Sequence, residues 1–450
     1  MKKNRDSFGS KFGVLAAAAG SAIGLGNIWR FPYVAGENGG AAFILVYLFF
    51  VVAIGVPVMM SEFIIGRKTQ ANPIGAFRKL KPKSHWKIVG YMGILVAFMI
   101  LAFYSTVASW NMHYIYLSIT NAFEGKTMSE LNVMFDDFHT SVFFPLFWQI
   151  IFMIITAYIV LRGIENGIEK YAKFLMPILF LIIIVLDIRA ITLKGASGGL
   201  SFLFSPDFSK ITSSSILEAL GQAFFSLSIG MGVLITYGSY IRKKENLTNI
   251  AFEVSFFDTL IAILAGVAIF PAVFAFNVEP NAGPGLVFMT LPKIFESMAG
   301  GYFFSVLFFL LLFVAAITSS ISVLEVVVAY LVEEKNMDRK KATLISTISI
   351  FILGIGATLS FGPLANFKIF QKTIFDLLDY TSANIMLPLG GLLIVIFMGW
   401  VLPKKEISEE LSNNGVLKLK MFSVFYFIIR YIAPIAIGII FLNGLGVLNF

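Results

Sequence analysis

Apolar residues run along this chain in long blocks, separated by short polar or charged stretches. A helix needs about 20 mainly apolar residues to cross a hydrocarbon layer. Blocks of that length occur at 11–36, 41–66, 88–121, 142–161, 168–186, 214–240, 249–276, 302–332, 341–360, 374–400 and 421–446. The pattern predicts an all-α integral membrane protein of about eleven transmembrane helices. The longest connection, roughly 122–141, carries Glu124, Glu130, Asp136 and Asp137 and is too short for a separate soluble domain.

Lysine and arginine test the topology, because inner loops are enriched in both. With the N-terminus inside, 25 of the 34 basic residues fall in inner segments, among them Arg67, Lys68, Arg78, Lys79, Lys81, Lys83, Arg242, Lys243, Lys244, Lys404 and Lys405. Eleven spans then put the C-terminus outside, and the acidic 122–141 loop with it. This expects a multi-pass protein of the cell inner (plasma) membrane with a cytoplasmic N-terminus. The bias also accounts for the net charge of +8 without a nucleic-acid partner. Composition agrees: 58% hydrophobic, 13% charged and a mean hydropathy of +0.86 suit a lipid bilayer as solvent, not water. Cysteine is absent, which rules out disulfides and thiolate metal sites. His85, His113 and His139 lie far apart and argue against a histidine-rich metal centre. The basic N-terminus followed by an apolar run does not read as a cleavable signal, because the run is too long and continues into a glycine-rich segment.

Two spans are ill-suited to be continuous helices. The first contains Gly20-Ser21-Ala22-Ile23-Gly24-Leu25-Gly26-Asn27, then Trp29-Arg30-Phe31-Pro32; the sixth contains Ser226-Leu227-Ser228-Ile229-Gly230-Met231-Gly232. Glycine weakens a helix, and serine and asparagine compete for backbone hydrogen bonds. Either run alone also fits close helix packing through small residues. Together they open two successive sets of five spans, 11–186 and 214–400, with 421–446 as an additional helix. Interrupted helices at matching places in two halves point to an inverted repeat built around a site at mid-membrane. Unwound backbone at that depth is tolerated where protein or a polar cavity satisfies it.

Charged residues within spans are costly and are functional candidates. Arg30 follows the first break, Glu62 ends the second span, Asp258 lies well inside the seventh, Glu325 in the eighth and Asp379 at the start of the tenth. A structural cap near the inner surface suits Glu325; it suits Asp258 less. The eighth span also holds Thr318-Ser319-Ser320. Such a run either bonds its own helix or supplies oxygen ligands to a hard cation facing it.

Residues Gly20 to Pro32 with Glu37-Asn38-Gly39-Gly40, Gly221-Gln222-Ala223-Phe224-Phe225-Ser226-Leu227-Ser228 and Thr318-Ser319-Ser320 resemble the neurotransmitter:sodium symporter family, and its bacterial hydrophobic and aromatic amino-acid transporters in particular. The resemblance covers nearly the whole chain, as a single transporter domain over 1–450. It implies sodium-coupled symport of an L-amino acid by alternating access. The implied substrate site is Ser21, Ala22, Leu25, Gly26, Ile100, Tyr104, Phe225, Ser226, Ser228, Met231, Ser319 and Val323, with positive helix ends facing the substrate carboxylate. Two sodium sites are implied: Ala22, Asn27, Ser226 and Asp258 with the substrate carboxylate, and Gly20, Ile23, Ala315, Thr318 and Ser319. Arg30 and Asp379 resemble the outer gate pair, with Phe225 as a lid over the substrate. The inner gate resembles Arg5 with Glu333, near Phe8 and Tyr240. Glu62 matches the carboxylate that supports the unwound sixth helix. Gly167 and Pro177, nine residues between them, match a motif linked to unwinding of the fifth.

Departures from the family pattern refine these expectations. Asp258 stands where asparagine is common, and Ala262 where chloride-dependent members carry a serine; Tyr47, Gln222 and Ser226 match the rest of that chloride site. Asp258 is therefore expected to supply the negative charge, and chloride not to be required. Glu333 replaces the usual aspartate. No twelfth span is apparent, which leaves any homodimer contact made there in question. Met231 and Val323 replace larger or stiffer residues of leucine-type relatives, and methionine adapts to shape. Large hydrophobic substrates follow: tyrosine, tryptophan or phenylalanine. Ser228 or Ser319 is a candidate to bond a phenolic hydroxyl, and the sequence does not choose between them. Three other readings compete. A non-transporting amino-acid sensor calls for a signalling domain, a channel for a pore motif or rings of charge, and an enzyme for a nucleophile–base or metal cluster in one pocket. None of these features is seen.

Overall fold

The computed structural model describes residues 6–276 and 283–448. Arg5, expected at the inner gate, lies outside them. In chain order the helices are α1 (Lys11–Ala22), α2 (Gly26–Glu37), α3 (Ala41–Thr69), α4 (Pro73–Leu80), α5 (Lys87–Ile119), α6 (Met128–Thr140), α7 (Phe143–Leu161), α8 (Ile164–Ile191), α9 (Ala196–Phe204), α10 (Ser213–Ser226), α11 (Val233–Gly238), α12 (Leu247–Ala275), α13 (Thr290–Ser297), α14 (Gly301–Glu334), α15 (Arg339–Leu359), α16 (Ile374–Val401), α17 (Lys404–Leu411) and α18 (Phe422–Gly444). Among the described residues no β-strand forms; a single isolated bridge joins Ile369 and Lys372.

Among the described residues, nine of these helices are long and apolar enough to cross a membrane, and α1 with α2 makes a tenth, bent by 51°. The interrupted sixth span is α10 and α11, on either side of 227–232, and the expected count of eleven includes it. The fifth span is longer than the hydropathy pattern suggested: Ile164–Ile191, with a π-helical first turn over Ile164–Glu169 and Pro177 inside the helix. Glu165, Asn166 and Gly167 hid that end from the pattern. Glu169 accepts from the Gly9 N–H (2.6 Å) and the Ser10 hydroxyl (3.0 Å) and pairs with Lys173.

Helix starts follow local chemistry. Ser10 caps α1 through the Gly13 N–H, and Asn72 caps α4 just before Pro73. Thr127 and Glu130 form a capping box on α6, and their mutual hydrogen bonds hold the Glu130 carboxyl below its ordinary range. Large apolar side chains such as Phe49, Phe143, Leu181, Ile352 and Ile435 remain exposed. In a membrane these are lipid-facing surfaces rather than defects.

One face, the one expected to lie inside, is fastened by a cluster around buried Arg67 and Glu410. Arg67, at the end of α3, pairs with Glu410 of α17 (Nε to Oε1, 2.6 Å) and donates to the Glu245 carbonyl (2.6 Å). Lys243 also reaches both Glu410 oxygens at 3.0 Å. One carboxylate thus joins the inner ends of three segments far apart in sequence.

Candidate functional site

The site grows from the two breaks. Between α1 and α2, Ile23 turns extended and the backbone of 23–25 leaves the helical path. The freed groups find partners. The Gly24 N–H donates to Asn27 Oδ1 (3.0 Å) and the Leu25 N–H to the Tyr104 hydroxyl (3.1 Å). The Ser319 hydroxyl lies 3.2 Å from the Ser21 and Ile23 carbonyls and 3.4 Å from that of Gly20. Ser228 donates to the Ser21 carbonyl at 3.0 Å. Close approach requires glycine at Gly24, where a Cβ would fall 2.6 Å from Ser319 Oγ and 3.1 Å from the Tyr104 hydroxyl.

The second break spans 227–232. Ser228, Gly230 and Gly232 all take positive φ (55°, 85° and 75°), which glycine adopts freely and serine at some cost. The Gly230 N–H, which lacks a helical partner, donates to buried Glu62 Oε1 at 2.7 Å.

The breaks face one another across a cavity of about 40 Å³, room for roughly three water molecules. All twelve residues expected to hold the substrate line it, from Ser21, Ala22, Leu25 and Gly26 through Ile100, Tyr104, Phe225, Ser226, Ser228 and Met231 to Ser319 and Val323. Gly24, Leu101 and Ser320 line it as well and were not anticipated. Ser320 stands in the serine run of the eighth span, so the signal was present; its facing was not.

Beside the cavity, polar groups of Asn27, Ser226 and Asp258 cluster, with the Asn27 amide nitrogen turned toward the oxygens of the other two. Ser226 Oγ donates to Asp258 Oδ2 (2.7 Å), and Asn27 Nδ2 to Asp258 Oδ1 (2.8 Å), the Asp258 carbonyl (3.0 Å) and Ser226 Oγ (3.1 Å). The Tyr47 hydroxyl lies 3.4 Å from both Ser226 Oγ and Asp258 Oδ2. All four side chains are buried. Asn27, Ser226 and Asp258 together with cavity-lining Ala22 form an oxygen-rich set of the kind hard cations take. A second set is Ser319 against the Gly20 and Ile23 carbonyls, with Thr318 Oγ1 beside the Ala315 carbonyl at 3.1 Å. Gln222 instead donates to the Gly26 carbonyl at 3.3 Å. Ala262 is buried one turn along from Asp258.

On the outer side, the Arg30 guanidinium stacks over the Phe225 ring, 4.8 Å from its centre. The two residues share the wall of an outer recess with Glu218, Asn384 and Leu387. Among the described residues, no ion pair within 4 Å joins Arg30 to Asp379. On the inner side Glu333 accepts from the Asn72 N–H (2.8 Å) and side chain (3.0 Å). Phe8 is buried edge-on to Tyr237 and Tyr240, and its N–H donates to the Tyr240 carbonyl at 3.1 Å. Glu325, expected as a structural cap, is fully buried: Tyr240 donates to it at 2.7 Å and Arg339 pairs with it at 2.5 Å.

Comparison with known proteins gives a consistent result. The profile of the sodium:neurotransmitter symporter family matches residues 5–136 and 134–449. The chain is 41% identical over 441 residues to the sodium-dependent transporter YhdH of Bacillus subtilis (strain 168), covering 98% of each. It is 31% identical over 463 residues to the sodium-dependent transporter MJ1319 of Methanocaldococcus jannaschii, covering 99% of this chain and 92% of that one. The fold is similar to MhsT, solved in complex with L-phenylalanine: TM-score 0.90 and 44% identity over 98% of this chain and 100% of that chain.

Proposed function

The chain belongs to the sodium:neurotransmitter symporter family, and on that premise we propose that it carries a large hydrophobic or aromatic L-amino acid into the cell together with sodium, by alternating access. The observation that carries this reading is the single cavity between the two helix breaks, lined by every residue expected to hold the substrate. Freed backbone groups and half-helix ends there suit a zwitterion, with the carboxylate at helix N-termini and at the Tyr104 hydroxyl. Met231 and Val323 on its wall favour a bulky side chain. The complex of MhsT with L-phenylalanine supports an aromatic guest.

Two sodium ions travel with the substrate. Asn27, Ser226, Asp258 and the Ala22 carbonyl hold the first, next to the substrate carboxylate; Gly20, Ile23, Ala315, Thr318 and Ser319 hold the second. Sharing the carboxylate couples the two affinities, and that coupling is reciprocal. Chloride is not required, because Tyr47 and Ser226, two of the groups that match the family's chloride site, already face the Asp258 carboxylate. Binding draws Arg30, Phe225 and Asp379 together over the substrate. Release of sodium inward loosens Phe8, Tyr240, Glu333 and Arg5. The moving units are the five-helix sets 11–186 and 214–400, with the N-terminus inside and the C-terminus outside.

Uptake of labelled tyrosine, tryptophan and leucine into proteoliposomes, under an inward sodium gradient against a potassium control, tests this. Sodium-dependent accumulation that favours the aromatics is expected. Preference for leucine would remove the aromatic assignment and keep the symport; sodium-dependent binding without accumulation would point to a sensor.

A further inference from the structure

Arg430 is a cation inside a helix long enough to cross a membrane. It stands about two turns, or ~12 Å, into α18. A charge so placed is costly unless it is paired or reaches the membrane boundary. Among the described residues no carboxylate lies within 4 Å of it. None is left over near it in sequence either. The chain from Ser412 onward holds no Asp or Glu. Of the three acids of α17, Glu406 pairs with Lys68 (3.1 Å), Glu409 with Lys405 (3.9 Å) and Glu410 with Arg67 (2.6 Å). Asp376 and Asp379 stand at the opposite end of α16. The Arg430 Nε is itself buried without a hydrogen-bond partner among the described residues.

What surrounds the guanidinium is aromatic. Its carbon lies 4.4 Å from the centre of the Trp400 ring, 5.6 Å from that of Tyr431 and 5.8 Å from that of Tyr426. The Trp400 indole N–H donates to the Arg430 carbonyl at 3.0 Å. The Tyr426 hydroxyl donates to the Gly399 carbonyl and accepts from Arg430 Nη1, both at 3.2 Å. Each helix has a π-helical turn at this contact, Phe397–Val401 in α16 and Ile428–Ile432 in α18, an irregularity frequent at functional sites. Glycine lets the two turns touch: a Cβ on Gly399 would fall 2.8 Å from the Arg430 Cα. A second cation joins them. Lys404, exposed at the start of α17, holds its Nζ 5.0 Å from the Tyr426 ring centre and 5.8 Å from that of Phe422. It too makes no ion pair among the described residues. Trp400 and Tyr431 are exposed on the outside of the helix bundle. Trp400 is the penultimate residue of α16, so the cluster lies where a span ends, at the depth of lipid headgroups.

We propose that Arg430 and Lys404 form a site for the headgroup phosphate of an anionic phospholipid, seated between the ends of α16 and α18. The lipid supplies the counter-charge that the chain does not. The planar guanidinium fork matches phosphate oxygens. Stacking on Trp400 and the bond to Tyr426 fix its plane in advance and leave its other N–H groups for the ligand. Lys404 adds a second positive charge at the boundary, where each basic residue strengthens the attraction to an anionic lipid. The exposed rings of Trp400 and Tyr431 give the acyl chains an apolar surface, which a soluble phosphate would not use.

The test is retention of phosphatidylglycerol against phosphatidylcholine by the full chain, read by native mass spectrometry of protein released from mixed-lipid nanodiscs. Wild type is expected to hold phosphatidylglycerol selectively. Arg430→Gln should weaken that retention about tenfold or more, the worth of a hydrogen bond between charged groups, and Lys404→Gln about fivefold. Arg430→Lys, which keeps the charge and loses the fork, should recover only part. Lys418→Gln with Lys420→Gln, basic residues outside the cluster, should change nothing. A loss from that pair as large as from Arg430→Gln would mean diffuse attraction to a basic surface and overturns the assignment. Equal retention of the two lipids by wild type overturns it as well. So does displacement of the lipid by inorganic phosphate, which would make the ligand a soluble anion. Should Arg430→Gln not fold, Arg430→Lys and Lys404→Gln read the same retention.

Discussion

Asp258→Asn should weaken sodium binding strongly while leaving the fold in place. The carboxylate accepts from Ser226 at 2.7 Å and from Asn27 at 2.8 Å. Asparagine keeps one acceptor oxygen and the shape, so what is lost is charge. Two charge-assisted hydrogen bonds become neutral, at about 1 kcal/mol each. A unit charge about 3 Å from a sodium ion contributes about 5 kcal/mol at an effective dielectric of about 20, most of it offset by the cost of keeping a carboxylate dry. A net loss of about 2 kcal/mol follows, or about 30-fold in sodium affinity. The assay is the half-saturating sodium concentration for uptake, with chloride or gluconate as the anion. Wild type should respond alike to both anions. The variant should need about 30 times more sodium, and adding Ala262→Ser should restore uptake in chloride alone. A shift below threefold, or a wild type that needs chloride, would refute the reasoning.

Two further outcomes follow from the same geometry. Gly24→Ala puts a methyl carbon 2.6 Å from Ser319 Oγ and 3.1 Å from the Tyr104 hydroxyl; substrate affinity should drop at least tenfold with little change in expression, measured by equilibrium binding in sodium. Glu325→Gln takes the charge from a pair that Arg339 makes at 2.5 Å, with an expected cost of about 3 kcal/mol to inner-side closure. Since the chain has no cysteine, a single Ala19→Cys reports this directly, and its labelling by a polar maleimide from the inner side should rise more than tenfold.

The breaks were legible because glycine, serine and asparagine gathered in mid-span loosen a helix exactly where hydrocarbon would otherwise enforce one. Asn27 supplies the clearest case: its amide both replaces a lost helical bond to Gly24 and joins the oxygen cluster. Ile100 with Tyr104 and Ser319 with Val323 came from the family resemblance, and their i, i+4 spacing is consistent with one helix face. Leu101 and Ser320 did not, and period fixes a face only once the neighbouring helix is known. Nor does sequence say which hydroxyl is bonded to its own backbone, and this separates Thr318 from Ser320. The outer gate shows a different limit. Resemblance pairs Arg30 with Asp379, whereas the fold stacks Arg30 on Phe225. The first residues of the fifth span, 164–167, escaped because Glu165, Asn166 and Gly167 read as a polar break in the hydropathy pattern.

The Arg67–Glu410 pair bears on the order in which the molecule can be assembled. Its partners are 343 residues apart, so during synthesis Arg67 enters the membrane region long before its counter-charge exists. A guanidinium left dry and unpaired is among the more costly groups a protein can hold. Water must therefore attend the inner end of the second span while the intervening spans are inserted. Only when the segment carrying Glu410 emerges can that water be expelled and the inner face drawn shut, with Lys243 gathered into the same knot. The face that carries this knot is thus the last part of the protein to become compact, and a chain cut short before Glu410 would stay open there.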